Sequence, residues 1–242
     1  WPMGVVAALT PSTNPTSTTM FKTIISVKGR NAIVVAPHPS ATKCCVETSR
    51  VLARAAEGAG APKGLVQCMS EVTLPGTQEL MRHKYTAVIL ATGGSDMVKA
   101  AHSVGKPAYG VGPGNVPAYV DRSANLERAA KYLVASKAFD YSVICATEQA
   151  VIADKPIARR LEELMKAEGA YFVDEAQAEA LRRSLFYPGG GIITQSVGKS
   201  PQVLAKMAGI SVPANARILV ARLNKVGKEE PLSREKLTTV LG

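Results

Sequence analysis

The chain has 242 residues, of which 46% are hydrophobic and 5% aromatic, and its formal net charge at pH 7 is +10. This length suits one large or two small domains, and the apolar fraction is too high for a chain that is disordered throughout. No apolar run is long enough to cross a membrane as a helix, and no basic-then-apolar secretory leader opens the chain. The totals therefore favour a folded protein without a membrane partner.

The cysteines and the basic residues narrow the setting further. Cys44, Cys45, Cys68 and Cys145 fit neither a disulfide framework nor a zinc site, so we expect a reducing, cytoplasmic location and no bound metal. The 29 Lys and Arg residues are spread along the chain, without a basic cluster or an aromatic stacking motif. The positive charge thus indicates a solvated surface or the attraction of an anionic cofactor, in preference to nucleic acid binding.

Strand-like and helix-like segments alternate through the first half of the chain. The predicted strands are Gly4–Thr10, Asn31–Ala36, Gly64–Ser70, Ala87–Ala91 and Lys106–Val111. The first helix begins at Pro15 and ends at Gly29, and later helices cover Ala41–Ala59, Thr77–Arg82 and Met97–Val104. This alternation predicts βαβ units and a mostly parallel sheet, which binds ligands at the carboxyl ends of its strands.

Two turns rich in small residues follow predicted strands, at Thr10–Thr16 and Thr92–Ser95. The second turn reads Thr-Gly-Gly-Ser and opens a helix, so its backbone N–H groups can approach an anion such as a phosphate. It matches neither GxGxxG nor a P-loop, and a simple helix cap is the alternative.

The second half is also α/β. Its predicted elements are Pro117–Val120 (extended), Asn125–Ala138 (helix), Ser142–Ala153 (strand-like), Ile157–Glu168 (helix), Tyr171–Val173 (strand), Glu175–Leu185 and Pro201–Ala208 (helices) and Arg217–Val226 (strand). Gly112-Pro113-Gly114 interrupts the order, which predicts a boundary between domains 1–113 and 114–242. Because the chain begins at Trp1 and stops in a strand-like segment, we expect it to be part of a longer polypeptide whose second domain is incomplete here.

Cys145 lies in the stretch 139–149, read as FDYSVICATEQ, between a helix-like run and a strand-like run. A cysteine at such a turn can be held rigidly while its sulfur stays accessible, and the thiolate is the reactive form. From the local residues alone, the alternative is a small side chain buried in the core.

Five segments, in this order and at this approximate spacing, resemble the aldehyde dehydrogenase family, and specifically its CoA-acylating branch. They are Thr10–Pro15 (TPSTNP), Pro37–Pro39 (PHP), Ala91–Gly94 (ATGG), Gly110–Asn115 (GVGPGN) and Ile144–Gln149 (ICATEQ). The resemblance implies an α/β fold in which a Rossmann-type NAD/CoA-binding domain precedes an α/β catalytic domain. It also implies a short-chain aldehyde as substrate, NAD and coenzyme A as cofactors, and a homo-oligomer.

The resemblance assigns roles to individual residues. It implies that Cys145 is the nucleophile and that Asn14 helps to stabilise the oxyanion, although a turn or helix-cap role remains the alternative for Asn14. Glu235, in Arg234–Leu237, would contact the nicotinamide ribose. The other implied cofactor-binding residues are Thr10, Pro11, Pro37, His38, Pro39, Thr92, Gly93, Gly94, Val111 and Gly112.

One position separates the branches of the family. Hydrolytic members place a general-base glutamate about 34 positions before the cysteine. In this sequence that position is Val111, between Gly110 and Gly112, so no carboxylate is available. We therefore expect acyl transfer to CoA.

Several alternatives remain open from the sequence. They are a hydrolytic (semi)aldehyde dehydrogenase, a non-catalytic nucleotide-binding module, the dehydrogenase part of a bifunctional aldehyde–alcohol dehydrogenase, the choice between NAD and NADP, and a bacterial microcompartment as a narrower location.

Overall fold

The computed structural model describes residues 1–242, which fall into two units, Trp1–Pro113 and Gly114–Gly242. Both units are α/β with parallel strands, so the predicted fold class is confirmed. The naming of the first unit as the NAD/CoA-binding domain and of the second as the catalytic domain stays a prediction. No helix in the structure combines the length and the apolar character that a membrane span requires.

The first unit contains one parallel sheet in the strand order β3-β2-β1-β4-β5. Its strands are β1 (Val5–Thr10), β2 (Ala32–Pro37), β3 (Val66–Cys68), β4 (Thr86–Thr92) and β5 (Ala108–Val111). Its helices are α1 (Pro15–Lys28), α2 (Thr42–Gly58), α3 (Leu74–Arg82) and α4 (Ser95–His102). The strand order reverses between β1 and β4, and in sheets of this kind ligands bind outside the carboxyl ends at that point.

Both faces of this sheet are buried, as expected for a parallel sheet covered by helices. Alternate residues of β1 enter different cores. Val6 and Ala8 pack with Val27 of α1 and Ala53 of α2, whereas Leu9 packs with side chains of α3 and α4. This alternation follows from the two-residue period of a strand.

The helix α1 places its polar side inward and its apolar side outward. Thr18, Thr19, Thr23 and Ser26 are buried, together with Lys22. The outward side carries the exposed side chains Met20, Phe21, Ile24 and Ile25, of which Phe21 is 59% and Ile24 57% exposed. The usual amphipathic arrangement of a surface helix is thus reversed.

Lys22 connects the buried side of α1 to the sheet. Its ammonium group donates hydrogen bonds to the carbonyl oxygens of Leu9, at 2.6 Å, and Leu90, at 2.8 Å. These residues come just before the ends of β1 and β4. Burial lowers the pKa of Lys22 to about 7. The lysine therefore ties together the two strands between which the strand order reverses.

The second unit contains five strands and four helices. The strands are β6 (Pro117–Val120), β7 (Ala150–Ala153), β8 (Ala170–Val173), β9 (Ile218–Ala221) and β10 (Val240–Leu241). The helices are α5 (Leu126–Ala138), α6 (Lys155–Ala167), α7 (Glu175–Leu185) and α8 (Pro201–Ala208).

The strands of the second unit pair as β6-β7 and as β10-β9-β8, all parallel. Two backbone hydrogen bonds, from Val151 N to Gly242 O and from Gly242 N to Gln149 O, join these groups next to β10. Ile218 belongs to a core formed with α5 and α6, and Leu219 to a second core formed with α7 and α8. Helices thus cover both faces here as well.

The largest sequence error concerns the predicted strand Ser142–Ala153. Only Ala150–Ala153 forms a strand, and the residues before it form tight turns. Their backbone explains the error, because Asp140, Tyr141 and Ser142 all have positive φ, at 46°, 49° and 60°. A strand cannot continue through left-handed residues.

We expect Lys22→Met to destabilise the first unit by about 2 kcal/mol, because two buried carbonyl groups lose their charged donor. Hydrogen exchange measured by mass spectrometry should become faster in peptides that cover β1 and β4. Lys28→Met is the matched control, since Lys28 lies in the last turn of the same helix and is exposed. Equal exchange in the two variants would contradict the proposed tie.

Candidate functional site

A cavity of about 190 Å³ lies at the carboxyl ends of β1, β2 and β4 in the first unit. It contains most of the cofactor-binding residues that the sequence predicted, namely Thr10, Pro11, Pro37, His38, Pro39, Thr92, Gly93 and Gly94. Val72, Thr73, Leu74 and Thr77 of the α3 region close it from one side. Residues that are far apart in the sequence therefore meet at one edge of the sheet, as a parallel sheet requires.

The glycine turn after β4 leaves room for a ligand. A Cβ atom added at Gly94 would meet nothing within 4 Å, and one added at Gly93 would make only ordinary contacts with Met97, at 3.7 Å. The helix α4 begins after Gly94 without a side-chain capping bond. Gly94 is thus the N-cap residue of α4, in line with the helix-cap alternative, and the first N–H groups of the helix have no side-chain partner that would keep them from an anionic group.

His38 has a local role as well as a place in the cavity wall. Its Nδ1 accepts a hydrogen bond from Ser40 N at 3.2 Å and lies 2.7 Å from Ser40 Oγ. An Nδ1 that accepts leaves Nε2 as the ring nitrogen that carries the proton. His38 thus caps the short turn after β2 and lines the cavity.

Val111 and Gly112 do not line the cavity. Val111 is exposed at the end of β5, and its carbonyl oxygen accepts a hydrogen bond from Gly93 N at 3.1 Å. Val111 is therefore attached to the glycine turn by this bond. Gly110, just before it, is required by packing, because a Cβ there would lie 2.5 Å from Val98 Cγ1.

Asn14 occupies the N-cap position of α1, yet its side chain makes no capping bond. Its Oδ1 instead accepts a hydrogen bond from Thr13 Oγ1 at 3.2 Å, and its amide nitrogen donates none within the chain. Asn14 therefore has the helix-cap position of the alternative, where its carbonyl oxygen accepts from Thr18 N, but not a side-chain capping bond. The amide N–H groups are free to donate to another partner.

Cys145 is exposed, in a turn of the second unit. The alternative of a buried core cysteine is therefore wrong. Ser142 and Thr147 brace this turn: their hydroxyl oxygens are 2.6 Å apart, and Thr147 Oγ1 donates to Ile144 O at 3.0 Å. The backbone N–H of Cys145 donates no hydrogen bond within the chain. The sulfur and a free N–H are thus presented together on a braced turn.

A buried polar network lies next to this turn. Lys137, Gln149 and Lys236 are each 0% or 1% exposed. Lys137 Nζ donates to Gln149 Oε1 at 3.2 Å, and Lys236 Nζ donates to the carbonyl oxygens of Gln149, Leu232 and Arg234 at 2.6–2.8 Å. Buried lysines of this kind persist because each finds acceptors that replace water.

The network changes the acidity of its members. Burial lowers the pKa of Lys137 to about 7, and the Glu148 and Glu235 carboxylates oppose that shift. Burial also lowers the pKa of Lys236 well below its ordinary value. Burial raises the pKa of Glu235. A hydrogen bond from the backbone N–H of Gly114 and the positive charge of Lys137 lower it, but by less. Glu235 thus lies beside Lys137, in the same unit as Cys145.

Sequence reasoning missed Lys137 and Lys236. A signal for Lys137 was present, because it follows Ala130, Leu133 and Val134 at the spacing of the buried side of α5. Lys236 gives no such signal, since it lies in an irregular segment whose burial depends on distant residues.

A second cavity, of about 450 Å³, lies in the second unit beside β7, α6 and β9. Ile152, Phe172 and Arg222 are among its lining residues, and none of the predicted site residues is. It carries no part of the predicted chemistry.

Comparison with known proteins gives a consistent result. The aldehyde dehydrogenase family model matches residues 1–178. The aldehyde-alcohol dehydrogenase of Streptococcus pneumoniae serotype 4 is 46% identical over 248 residues, which cover 99% of this chain and 28% of that protein.

Solved structures extend the comparison. An acetylating aldehyde dehydrogenase from Geobacillus thermoglucosidasius is 52% identical, with a TM-score of 0.95 over 99% of this chain and 53% of that one. A propionaldehyde dehydrogenase from Rhodopseudomonas palustris, solved with bound CoA and an acylated cysteine, is 35% identical, with a TM-score of 0.90 over 99% of this chain and 54% of that one. This chain therefore spans about half the length of these solved relatives and less of the bifunctional one.

We expect iodoacetamide to alkylate Cys145 at least about tenfold faster than the other cysteines, because only an accessible thiolate reacts quickly. Burial raises the pKa of Cys68 to about 11 and also raises the pKa of Cys44, while Cys45 is buried. Peptide mapping by mass spectrometry gives the rate for each site. If Cys44 or Cys68 were alkylated as fast as Cys145, the predicted difference in accessibility and reactivity would be wrong.

We expect Lys137→Met to change how stability depends on pH. In wild type, the folded state loses its Lys137 proton near pH 7, whereas the unfolded state keeps it to about pH 10. Between these values the unfolded state binds the extra proton, so the free energy of unfolding of wild type rises relative to the variant by roughly 1 kcal/mol per pH unit. Below pH 7 the difference should be constant.

Urea denaturation at several pH values measures this difference. Lys131→Met, at an exposed position of the same helix, is the control and should show no such slope. Parallel curves for wild type and Lys137→Met would show that Lys137 is not held in a site that disfavours its charge.

Proposed function

The chain belongs to the aldehyde dehydrogenase family, and from that premise we propose that it carries the nucleotide site and the nucleophile of a CoA-acylating aldehyde dehydrogenase. The complete enzyme would oxidise a short-chain aldehyde with NAD and CoA to an acyl-CoA and NADH. The observation that carries this proposal is Cys145 itself, exposed on a braced turn with its own N–H free.

In this proposal the Cys145 thiolate attacks the aldehyde carbon. A C–S bond forms, and the electrons of the carbonyl double bond move to oxygen. The backbone N–H of Cys145 and the side-chain amide of Asn14 are proposed as donors to that oxygen, and both are free of other hydrogen bonds within the chain. Fixed donors at a developing negative charge give a large part of the rate enhancement in acyl chemistry.

NAD would supply the hydride acceptor, so that the oxyanion on Cys145 could re-form its carbonyl as hydride leaves, giving a thioester. The cavity at the ends of β1, β2 and β4 supports this assignment, because Gly93 and Gly94 leave backbone room and α4 offers uncapped N–H groups to a pyrophosphate. Thr10, Pro11 and residues 37–39 would hold the rest of the nucleotide. Val111, Gly112 and Glu235 are proposed as further contacts.

The thioester is then consumed by the thiol of CoA. The CoA thiolate attacks the acyl carbon, and the Cys145 thiolate leaves. Hydrolysis would need a base to activate water, and Val111 stands where hydrolytic members of the family place a glutamate. A thiol needs less help, because a thiolate is a good nucleophile near neutral pH. The CoA and the acylated cysteine in the R. palustris relative support the same choice.

The substrate is proposed to be an uncharged aldehyde. Cys145 is flanked by Ile144 and Ala146, and no lysine or arginine lies beside it in the sequence to bind an anionic tail.

The complete protein is further proposed to be a cytoplasmic homo-oligomer. This chain is similar to part of an aldehyde-alcohol dehydrogenase and to part of an acetylating aldehyde dehydrogenase. In both proteins the corresponding part would carry out the same dehydrogenase step.

We expect the complete natural polypeptide that contains this sequence to form NADH from short aldehydes only when CoA is present. Without CoA the rate should fall at least about a hundredfold, because water lacks a general base. A spectrophotometric assay over a panel of short aldehydes measures this. Comparable NADH formation without CoA would support the hydrolytic alternative.

Two variants assign the residues within the same assay. Cys145→Ala should abolish NADH formation while nucleotide binding persists, and Asn14→Ala should lower kcat about a hundredfold. Asn215→Ala, at an exposed loop position, is the control and should keep wild-type activity. Full activity of Cys145→Ala would remove the proposed nucleophile and favour a different mechanism.

A further inference from the structure

Gln149 uses its side chain and backbone in more hydrogen bonds than its neighbours, and it is 0% exposed. Its Oε1 accepts from Lys137 Nζ at 3.2 Å and from Lys236 N at 3.1 Å. Its Nε2 donates to Thr147 O at 3.1 Å. Its carbonyl oxygen accepts from Lys236 Nζ at 2.8 Å.

These bonds join three parts of the second unit. Thr147 belongs to the turn that carries Cys145, and its hydroxyl also braces that turn. Lys236 follows Glu235 directly. The backbone of Gln149 connects to the sheet, because its N–H donates to Val116 O and its carbonyl accepts from Gly242 N.

We propose that Gln149 is the positioning residue that fixes the Cys145 turn to the segment 232–236, which carries Glu235. This rests on the proposed function, in which Cys145 attacks the aldehyde and Glu235 contacts the nicotinamide ribose. The reacting sulfur and the group that orients the nicotinamide are then held by one buried side chain.

Only a side-chain amide can make all of these bonds at position 149. Two N–H donors, from Lys137 and Lys236, meet Oε1, while the carbonyl of Thr147 needs a donor. A glutamate at this position would keep the acceptor but could not donate to Thr147 when ionised, and a leucine would satisfy neither side. In a buried network each unmet partner is costly, so the arrangement is rigid only when complete.

Because Oε1 accepts from the two lysines and Nε2 donates to Thr147, two substitutions can remove these connections separately. Gln149→Glu should keep the acceptor contacts with Lys236 and Lys137 and lose the bond to Thr147. Gln149→Leu should lose both of these side-chain connections and, of the bonds to Lys236, keep only the one from Nζ to the backbone carbonyl of residue 149. Gln202→Leu is the matched control, because Gln202 also donates two hydrogen bonds to carbonyl groups of this unit, Ala214 O at 3.0 Å and Ala216 O at 2.9 Å.

The test combines hydrogen exchange with steady-state kinetics on the complete natural polypeptide. In Gln149→Leu, exchange should become at least about fivefold faster in peptides covering both the Cys145 turn and residues 232–237. Its kcat should fall about tenfold or more, and KM for NAD should rise severalfold. In Gln149→Glu, only the Cys145 turn should exchange faster, and kcat should fall with little change in KM for NAD. Gln202→Leu should match wild type in all of these.

Three results would overturn the proposal. The first is equal loosening of both segments in Gln149→Glu. The second is wild-type exchange and kinetics in Gln149→Leu. The third is a lower melting temperature in either variant, with kcat and KM unchanged for the folded protein, which indicates a purely structural role. If wild type itself oxidises no aldehyde, the proposed function fails, and the exchange data still decide whether Gln149 joins the two segments.

Discussion

Carbonyl groups near the ends of strands need donors, and in this protein buried lysines supply them. A carbonyl oxygen has two lone pairs, so it can accept from a buried side chain as well as from a neighbouring strand. Lys22 reaches from α1 to Leu9 O and Leu90 O. Lys236 does the same for Gln149 O, just before β7, and for two carbonyl oxygens of its own segment. A long side chain from another element thus adds a donor at these strand ends, and at Gln149 O it does so beside the backbone N–H of Gly242.

The same constraint shapes the chemistry that the turns can perform. The turn before Cys145 passes through three residues in the left-handed region, each at a cost of about 1 kcal/mol or more. Such a backbone persists only where its surroundings determine it, and here the bond between Ser142 and Thr147 and the amide of Gln149 do so. Strain and bracing together hold the turn that leaves the Cys145 side chain exposed.

The sequence predicted the regular elements well and the irregular ones poorly. Short continuous apolar runs such as residues 5–10 and 86–92 are determined locally, and so the first sheet and its glycine turn were predictable. The residues 142–149 also look apolar and extended, but their shape depends on bonds to Lys137 in the preceding helix and to Lys236, which is 87 residues after Gln149. For Asn14 the helix-cap position was evident, whereas the absence of a capping bond required coordinates.

The reversed orientation of α1 gives the first unit an exposed apolar surface. Phe21, Ile24 and Ile25 are exposed on one side of this helix, and neighbouring exposed apolar side chains form the kind of surface that other apolar molecules bind. The hydroxyl groups of Thr23 and Ser26 on its inner side have no partner, whereas Lys22 donates to Leu9 O and Leu90 O, and a rotation that buried the apolar side would break those two bonds. The buried bonds of Lys22 thus fix the orientation of α1, and this orientation leaves the apolar side of the helix exposed.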